Sequence, residues 1–169
     1  MSRNPTLVTY LITFACYGCH LHGIESGSVD RKHRLPGSRR VESDPRRTLA
    51  EKQTMVQPPY EMDRLRREAA LAAIVQRCSA YGWILLAAHV RANHVHVVVD
   101  ANLRPERIMN DLKSYASRCL NRLGLDKPDR KRWARHGSTR WLWSAQSVSA
   151  ATQYVVDKQG DPRAVFEAM

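Results

Sequence analysis

His94 and His96 flank a single valine in the segment NHVHVVVD, residues 93–100. In an extended chain, side chains alternate faces with a period of two. His94, His96, Val98 and Asp100 therefore point one way, and Val95, Val97 and Val99 the other. Two imidazoles about 7 Å apart along one strand face can converge on one cation, and neutral imidazole is a common metal ligand. The valine face would pack on core helices. The plain alternative is two polar groups on the solvent side of an antiparallel sheet. A histidine–valine–histidine within a valine-rich strand of a basic protein favours the metal site.

The elements that must position this pair can be read along the chain. Leu7–Phe14 is β-branched and aromatic and predicts a strand. Residues 24–57 are rich in Gly, Ser, Pro and mixed charge, without apolar periodicity, and predict a loop insertion. A helix follows Pro58-Pro59, from about Glu61 to Ala80, stopped by Gly82. Trp83–Val90 and His94–Asp100 predict two strands joined by the Arg91–Asn93 turn, a hairpin. Pro105–Gly124 predicts a helix with proline at its first position and a glycine cap. Thr139–Ser144 predicts a short strand. Ser147 or Ser149 would cap a last helix that ends at Gly160. The order is strand, helix, strand, strand, helix, strand, helix. This is a split βαβ pattern in one α+β domain spanning residues 1–169: an antiparallel sheet with helices packed on one face.

Composition sets the partner. The 169 residues carry a net charge of +11 with a pI near 10.0. Eleven Lys or Arg face only four acids between Arg104 and Arg140, with Trp133 inside that stretch and Trp141 and Trp143 directly after it. Cations hold phosphates and rings stack on bases, so this mixture suits a single strand of nucleic acid. The cations expected on DNA are Lys113, Arg118, Arg122, Arg130, Lys131, Arg132, Arg135, Arg140 and Lys158. The loop Arg135–Arg140 (RHGSTR) reads as phosphate-gripping, against a plain basic surface loop. Met1–Thr6 lacks a basic stretch leading into a hydrophobic signal core, which predicts a cytoplasmic setting with no membrane association. The four cysteines are then expected as thiols. Cys16-Tyr17-Gly18-Cys19-His20 matches the c-type haem attachment pattern, but attachment belongs to exported proteins. A zinc site from Cys16, Cys19, His20 and His22 would be strained by ligands this close in sequence.

NHVHVVVD, with its preceding strand and turn, resembles the histidine–hydrophobic–histidine signature of the HUH single-tyrosine transposases. These include insertion-sequence enzymes and REP-associated tyrosine transposases. The resemblance extends over most of the chain: TYLITFACYG as first strand, the helix, the hairpin, the basic helix, the WLW strand and a terminal helix with QYVVDKQG. It implies a ferredoxin-like fold, a homodimer, and Mg²⁺ or Mn²⁺ on His94 and His96. It also implies cleavage and rejoining of single-stranded or hairpin DNA through a 5′-phosphotyrosine link that leaves a free 3′-OH. A replication-type or domesticated nickase of the same chemistry is one alternative. A non-catalytic nucleic-acid-binding protein with structural histidines is another.

Two tyrosines fall on predicted helices. Tyr115 lies in a stripe of Ile108, Leu112, Tyr115, Cys119 and Leu123, the expected core face of an amphipathic helix. Tyr154, among polar neighbours on the last helix, falls where the resemblance places the nucleophile, and is preferred over Tyr115. The family often supplies a third ligand, a glutamine four residues after the tyrosine. Here that position holds Lys158, and Gln159 comes one later. Five residues of ideal helix turn about 500°, which would aim Gln159 away from Tyr154 unless the helix unwinds near Gly160. Gln159 is the first choice and Asp157, three residues after the tyrosine, the alternative. Lys158 could instead lower the phenol pKa or hold a phosphate.

Overall fold

The computed structural model describes residues 6–19, 45–160 and 163–169. It contains β1 (Val8–Ala15), α1 (Pro45–Gln53), α2 (Arg64–Tyr81), β2 (Ile84–Val90), β3 (His94–Ala101), α3 (Pro105–Arg122), β4 (Ser138–Leu142), α4 (Ala145–Asp157) and β5 (Ala164–Glu167). The strands form one antiparallel sheet in the order β4-β1-β3-β2-β5. The α+β ferredoxin-like expectation holds, with HVHVVVD on the central strand.

The alternation of β3 decides the layers. Val95, Val97 and Val99 are fully buried, and pack with Ile12, Phe14, Ile74, Ile108 and Leu112 beneath α2 and α3. Each buried valine contributes about 2 kcal/mol. Val98, of opposite parity, joins Ala87, Leu142, Ala151 and Val155 in a second cluster under α4. Two helices thus cover one face, and the terminal helix lies on the face that carries the histidines.

Several element ends differ from the sequence reading, each for a local reason. Asp63 caps α2 by accepting from Arg66 N–H, so that helix starts later than Glu61. Ser144, rather than Ser147 or Ser149, caps α4, with Ser147 returning the bond to the Ser144 backbone. Residues 45–53, expected as loop, form α1. Proline at its first position followed by Leu, Ala, Glu, Lys and Gln favours a helix even in a stretch too short to show periodicity. The rest of the expected insertion, through residue 44, lies outside the described residues. The edge strand β5 was not expected, because four residues after Gly160 and Pro162 give too short an alternation to read. No helix among the described residues is long and apolar enough to cross a membrane.

Candidate active site

His94 and His96 lie edge to face, with ring centroids 4.7 Å apart. Pairing with β1 aligns Thr13 with His96, and the Thr13 hydroxyl meets His96 Nδ1 at 2.8 Å. His94 Nδ1 meets Asn93 Oδ1 at 2.6 Å. Asn93 Oδ1 can only accept, so His94 Nδ1 carries the proton and Nε2 is its basic nitrogen. His96 Nε2 is buried and has no hydrogen-bond partner. An orphaned lone pair beside a second imidazole, with the far nitrogen oriented by a hydroxyl, is the arrangement a metal ligand needs. Burial, then the neighbouring His94 ring, pulls the His96 pKa down to about 3, so the ring stays neutral as ligation requires. Gln159 approaches the same ring and opposes this fall, without satisfying the buried Nε2.

This depression has a thermodynamic consequence. In the unfolded chain the His96 ring takes a proton below about pH 6.5, whereas in the fold it stays neutral down to about 3. The unfolded state binds more protons in this window, so stability is full above about pH 6.5 and falls with pH toward 3. Between pH 6.5 and 4 the metal-free protein is expected to lose about 3 kcal/mol through this one ring. Denaturant titrations of wild type and His96→Asn across that range measure it. Equal slopes in the two proteins would show that the ring is not held neutral.

α4 brings the remaining candidates to the same place. The Tyr154 ring lies 5.8 Å from the His96 ring, edge to face, and the residue is 43% exposed. The helix ends at Asp157. Lys158 has already left helical geometry, at φ −103° and ψ 19°, and Gly160 takes a left-handed φ of +74°. This release returns Gln159 to the tyrosine, where its side-chain Nε2 donates to the Tyr154 carbonyl at 3.3 Å. With that nitrogen committed, Oε1 is the atom Gln159 can offer a cation. Asp157 is exposed, and among the described residues no three His, Cys, Asp or Glu side chains group as a metal site. The alternative third ligand is therefore not assembled. Lys158 is exposed, and its backbone N–H also donates to the Tyr154 carbonyl.

Three residues around the site went unread in the sequence. Thr13 is one. His89 sits opposite His96 across the β2–β3 pair and is fully buried. Its Nε2 accepts from Arg163 N–H at 3.2 Å, so Nδ1 carries the proton and donates to the Val155 carbonyl at 3.0 Å. One neutral ring thereby ties the last turn of α4 to β2 and to the start of β5. Arg91, in the hairpin turn, lies against Gly160, close enough for its charge to bear on His96. A Thr-to-His or His-to-His cross-strand register would have revealed the first two, but register needs the pairing partners.

Tyr115 is placed elsewhere. It lies on α3, across the sheet from the histidines, with its hydroxyl donating to Gln76 Oε1 at 2.9 Å and Arg77 and Arg118 over its ring. It is half-buried rather than core, because the buried face of α3 runs through Ile108, Leu112, Ala116 and Leu120.

The basic residues divide. Arg118, Arg122, Lys131, Arg135, Arg140 and Lys158 are exposed. Lys113 and Arg132, expected on DNA, are only 7% and 4% exposed. Arg132 binds Asn121 and Asp126, whose carboxylate also binds Arg66 and Tyr60. Burial alone would raise the Asp126 carboxyl, but hydrogen bonds from Arg66 and Tyr60 outweigh it and hold the group below its usual range. Arg130 spends its guanidinium on Gln57 and the carbonyls of Pro58 and Pro59. Lys113 Nζ donates to the carbonyls of Ala134 and His136 at 2.9 and 2.7 Å, and burial draws its pKa down to about 8. These bonds anchor the loop leading to β4. There Gly137 passes so close to Thr13 O and Met109 that a Cβ would stand 2.5 Å from each. Lys113→Met leaves two carbonyls without their donor and is expected to cost about 2 kcal/mol in thermal or denaturant unfolding. Exposed Arg140→Ala should change stability by less than about 0.5 kcal/mol.

All four cysteines are thiols. Burial, the larger cause, raises the pKa of both Cys16 and Cys19, and Cys19 Sγ donates to the Tyr60 carbonyl at 3.0 Å. The zinc and haem groupings that include His20 and His22 fall on residues outside those described.

The family model for IS200-like transposases matches residues 58–157, more than half of the chain. The chain belongs to the IS200-like transposase family. The matched span holds both histidines and Tyr154 and stops two residues short of Gln159. No curated protein matches the chain. Among solved structures, a REP-associated tyrosine transposase bound to a REP hairpin superposes with a TM-score of 0.49 at 10% identity. That alignment covers 94% of this chain and 70% of the other. As an IS200-like transposase, the chain has a sheet whose central strand carries the histidines and a terminal helix whose tyrosine reaches them.

Proposed function

We propose that this transposase cuts and rejoins single-stranded, hairpin-bearing DNA by covalent catalysis at Tyr154. The observation that carries the reading is the meeting of three groups: the orphaned His96 Nε2, the adjoining His94 ring and the exposed Tyr154 ring. The Tyr154 phenol oxygen attacks the scissile phosphorus and forms a P–O bond as the P–O3′ bond breaks. The departing oxygen takes a proton and becomes a free 3′-OH, and the downstream strand is left on the enzyme as a 5′-phosphotyrosine. Phosphodiester energy is retained in that link. The 3′-OH of a second strand can therefore reverse the step, displacing Tyr154 as a phenol without ATP. His94, His96 and Gln159 Oε1 would hold Mg²⁺ or Mn²⁺, which when bound would polarise the phosphate and offset the negative charge growing on its oxygens.

The chain's own contribution is placement. Thr13 orients His96, His89 pins the last turn of α4, and the Gln159 bond to the Tyr154 carbonyl keeps its amide between tyrosine and histidine. Exposed Arg118, Arg122, Lys131, Arg135, Arg140 and Lys158 supply phosphate contacts. The resemblance makes a homodimer the expected working unit, and the cytoplasm is the setting expected from the sequence of Met1–Thr6. Incubation with a labelled single strand bearing a hairpin tests the reading. Cleavage in Mg²⁺ or Mn²⁺ that stops with chelator supports it. Salt-dependent binding with no cleavage in any metal leaves a nucleic-acid-binding protein instead.

A further inference from the structure

Trp141 in β4 and Trp143 just beyond its end have their rings stacked at 5.1 Å with an interplanar angle of 16°. Trp143 is 77% exposed, and Trp141 is 42% exposed. Trp141 is anchored from below by an edge contact to Tyr10 at 4.9 Å. Leu142, between them, points the other way into the cluster under α4. Two large apolar rings have been left in water with one broad face open, while the aliphatic residue of the same strand is buried. This is not how a strand completes a core.

We propose that the Trp141–Trp143 pair is a stacking platform for an unpaired nucleobase of the bound DNA strand, a proposal that rests on DNA being the substrate. Only an unpaired base has a face to give, because in duplex the faces are already stacked. Indole is a strong acceptor of such stacking, and the contact tolerates any base. Charge complementarity selects a polyanion. The chain carries a net +11, and exposed Arg140 precedes Trp141 on the same edge strand, its side chain on the opposite face of the sheet. The Glu106–Thr139 hydrogen bond holds the first turn of α3 against β4, which brings exposed Arg104 and Arg107 to the same edge.

The placement suits a strand that also reaches the catalytic groups. Ser138 pairs with Thr13, which in turn pairs with His96. From that row β4 runs outward to Leu142 and the chain continues to Trp143, five residues or roughly 17 Å if extended. The indoles and the histidines lie on opposite faces. However, β4 is the edge of the sheet, so a single strand can pass around it. A base held there would fix how far the flanking strand is threaded before it meets Tyr154.

The test uses the full chain, with chelator to prevent cleavage, and two probes: oligothymidylate and an abasic strand of equal length and charge. Wild type is expected to bind oligothymidylate more tightly, with tryptophan quenching that the abasic strand does not produce. Trp143→Ala should weaken oligothymidylate binding about tenfold, lose most of the quenching and leave abasic binding unchanged. Trp143→Tyr, which keeps a ring, should recover most of the affinity, and circular dichroism checks that each variant is folded. Equal affinity of wild type and Trp143→Ala for oligothymidylate overturns the platform alone. If wild type binds neither strand, the DNA reading falls and the platform with it. Self-association lost in Trp143→Ala, with DNA binding untouched, assigns the patch to a second copy of the chain and overturns the proposal.

Discussion

Tyr154→Phe is expected to form no covalent adduct with single-stranded DNA, a fall of about a thousandfold or more, while binding the strand as wild type does. The substitution removes one oxygen, which is the atom that would become the phosphotyrosine link. The ring itself stays 5.8 Å from His96, so packing is retained. Tyr115→Phe is the matched control. Its hydroxyl is spent on Gln76 on the far face of the sheet, and its loss should leave the adduct within about threefold while costing about 1 kcal/mol of stability. Denaturing gels of protein with labelled strand read the adduct. An adduct that survives in Tyr154→Phe and vanishes in Tyr115→Phe reverses the assignment.

His96→Ala is expected to be the second large effect: cleavage down about a thousandfold, equivalent to about 4 kcal/mol of transition-state stabilisation, with binding changed less than about threefold. The reasoning rests on where the lone pair points. His96 Nε2 is buried, lacks a partner and adjoins His94, so it makes no phosphate contact of its own that binding would miss. Loss of the ring also removes a group held neutral by burial, so the acid sensitivity described above should flatten in the same variant. Metal titrations of cleavage separate the causes. His94→Ala should raise the Mn²⁺ required, whereas a variant failing through misfolding would lose DNA binding as well.

What was legible in the chain depended on whether a residue's role is set by its neighbours in sequence. The alternation of valine and histidine in HVHVVVD was enough to assign both faces of the central strand, since one buried face leaves no freedom of register. Helix periodicity put Tyr115 in the core, whereas it sits on the shoulder of α3 against α2 with its hydroxyl on Gln76. Lys113 and Arg132 show the limit. A count of cations cannot tell a solvated lysine from one folded over two carbonyls, because those carbonyls, Ala134 and His136, are 21 and 23 residues away. Gln159 was judged on the turn of an ideal helix. Once Lys158 leaves helical geometry that angle no longer applies, and the side chain closes back on the Tyr154 carbonyl. Thr13 and His89 were invisible because their meaning comes from cross-strand register, and for His89 also from an edge strand too short to be read.

The polarity and address of the protein–DNA bond test the central claim most directly. Wild-type protein should be incubated with Mn²⁺ and one strand labelled at either its 5′ or its 3′ end, and the adduct then digested and mapped by mass spectrometry. The account predicts that the 3′ label alone becomes covalently attached, with the phosphate on the peptide that contains Tyr154. Attachment of the 5′ label, or a phosphate mapped to Tyr115 or any other residue, would contradict it.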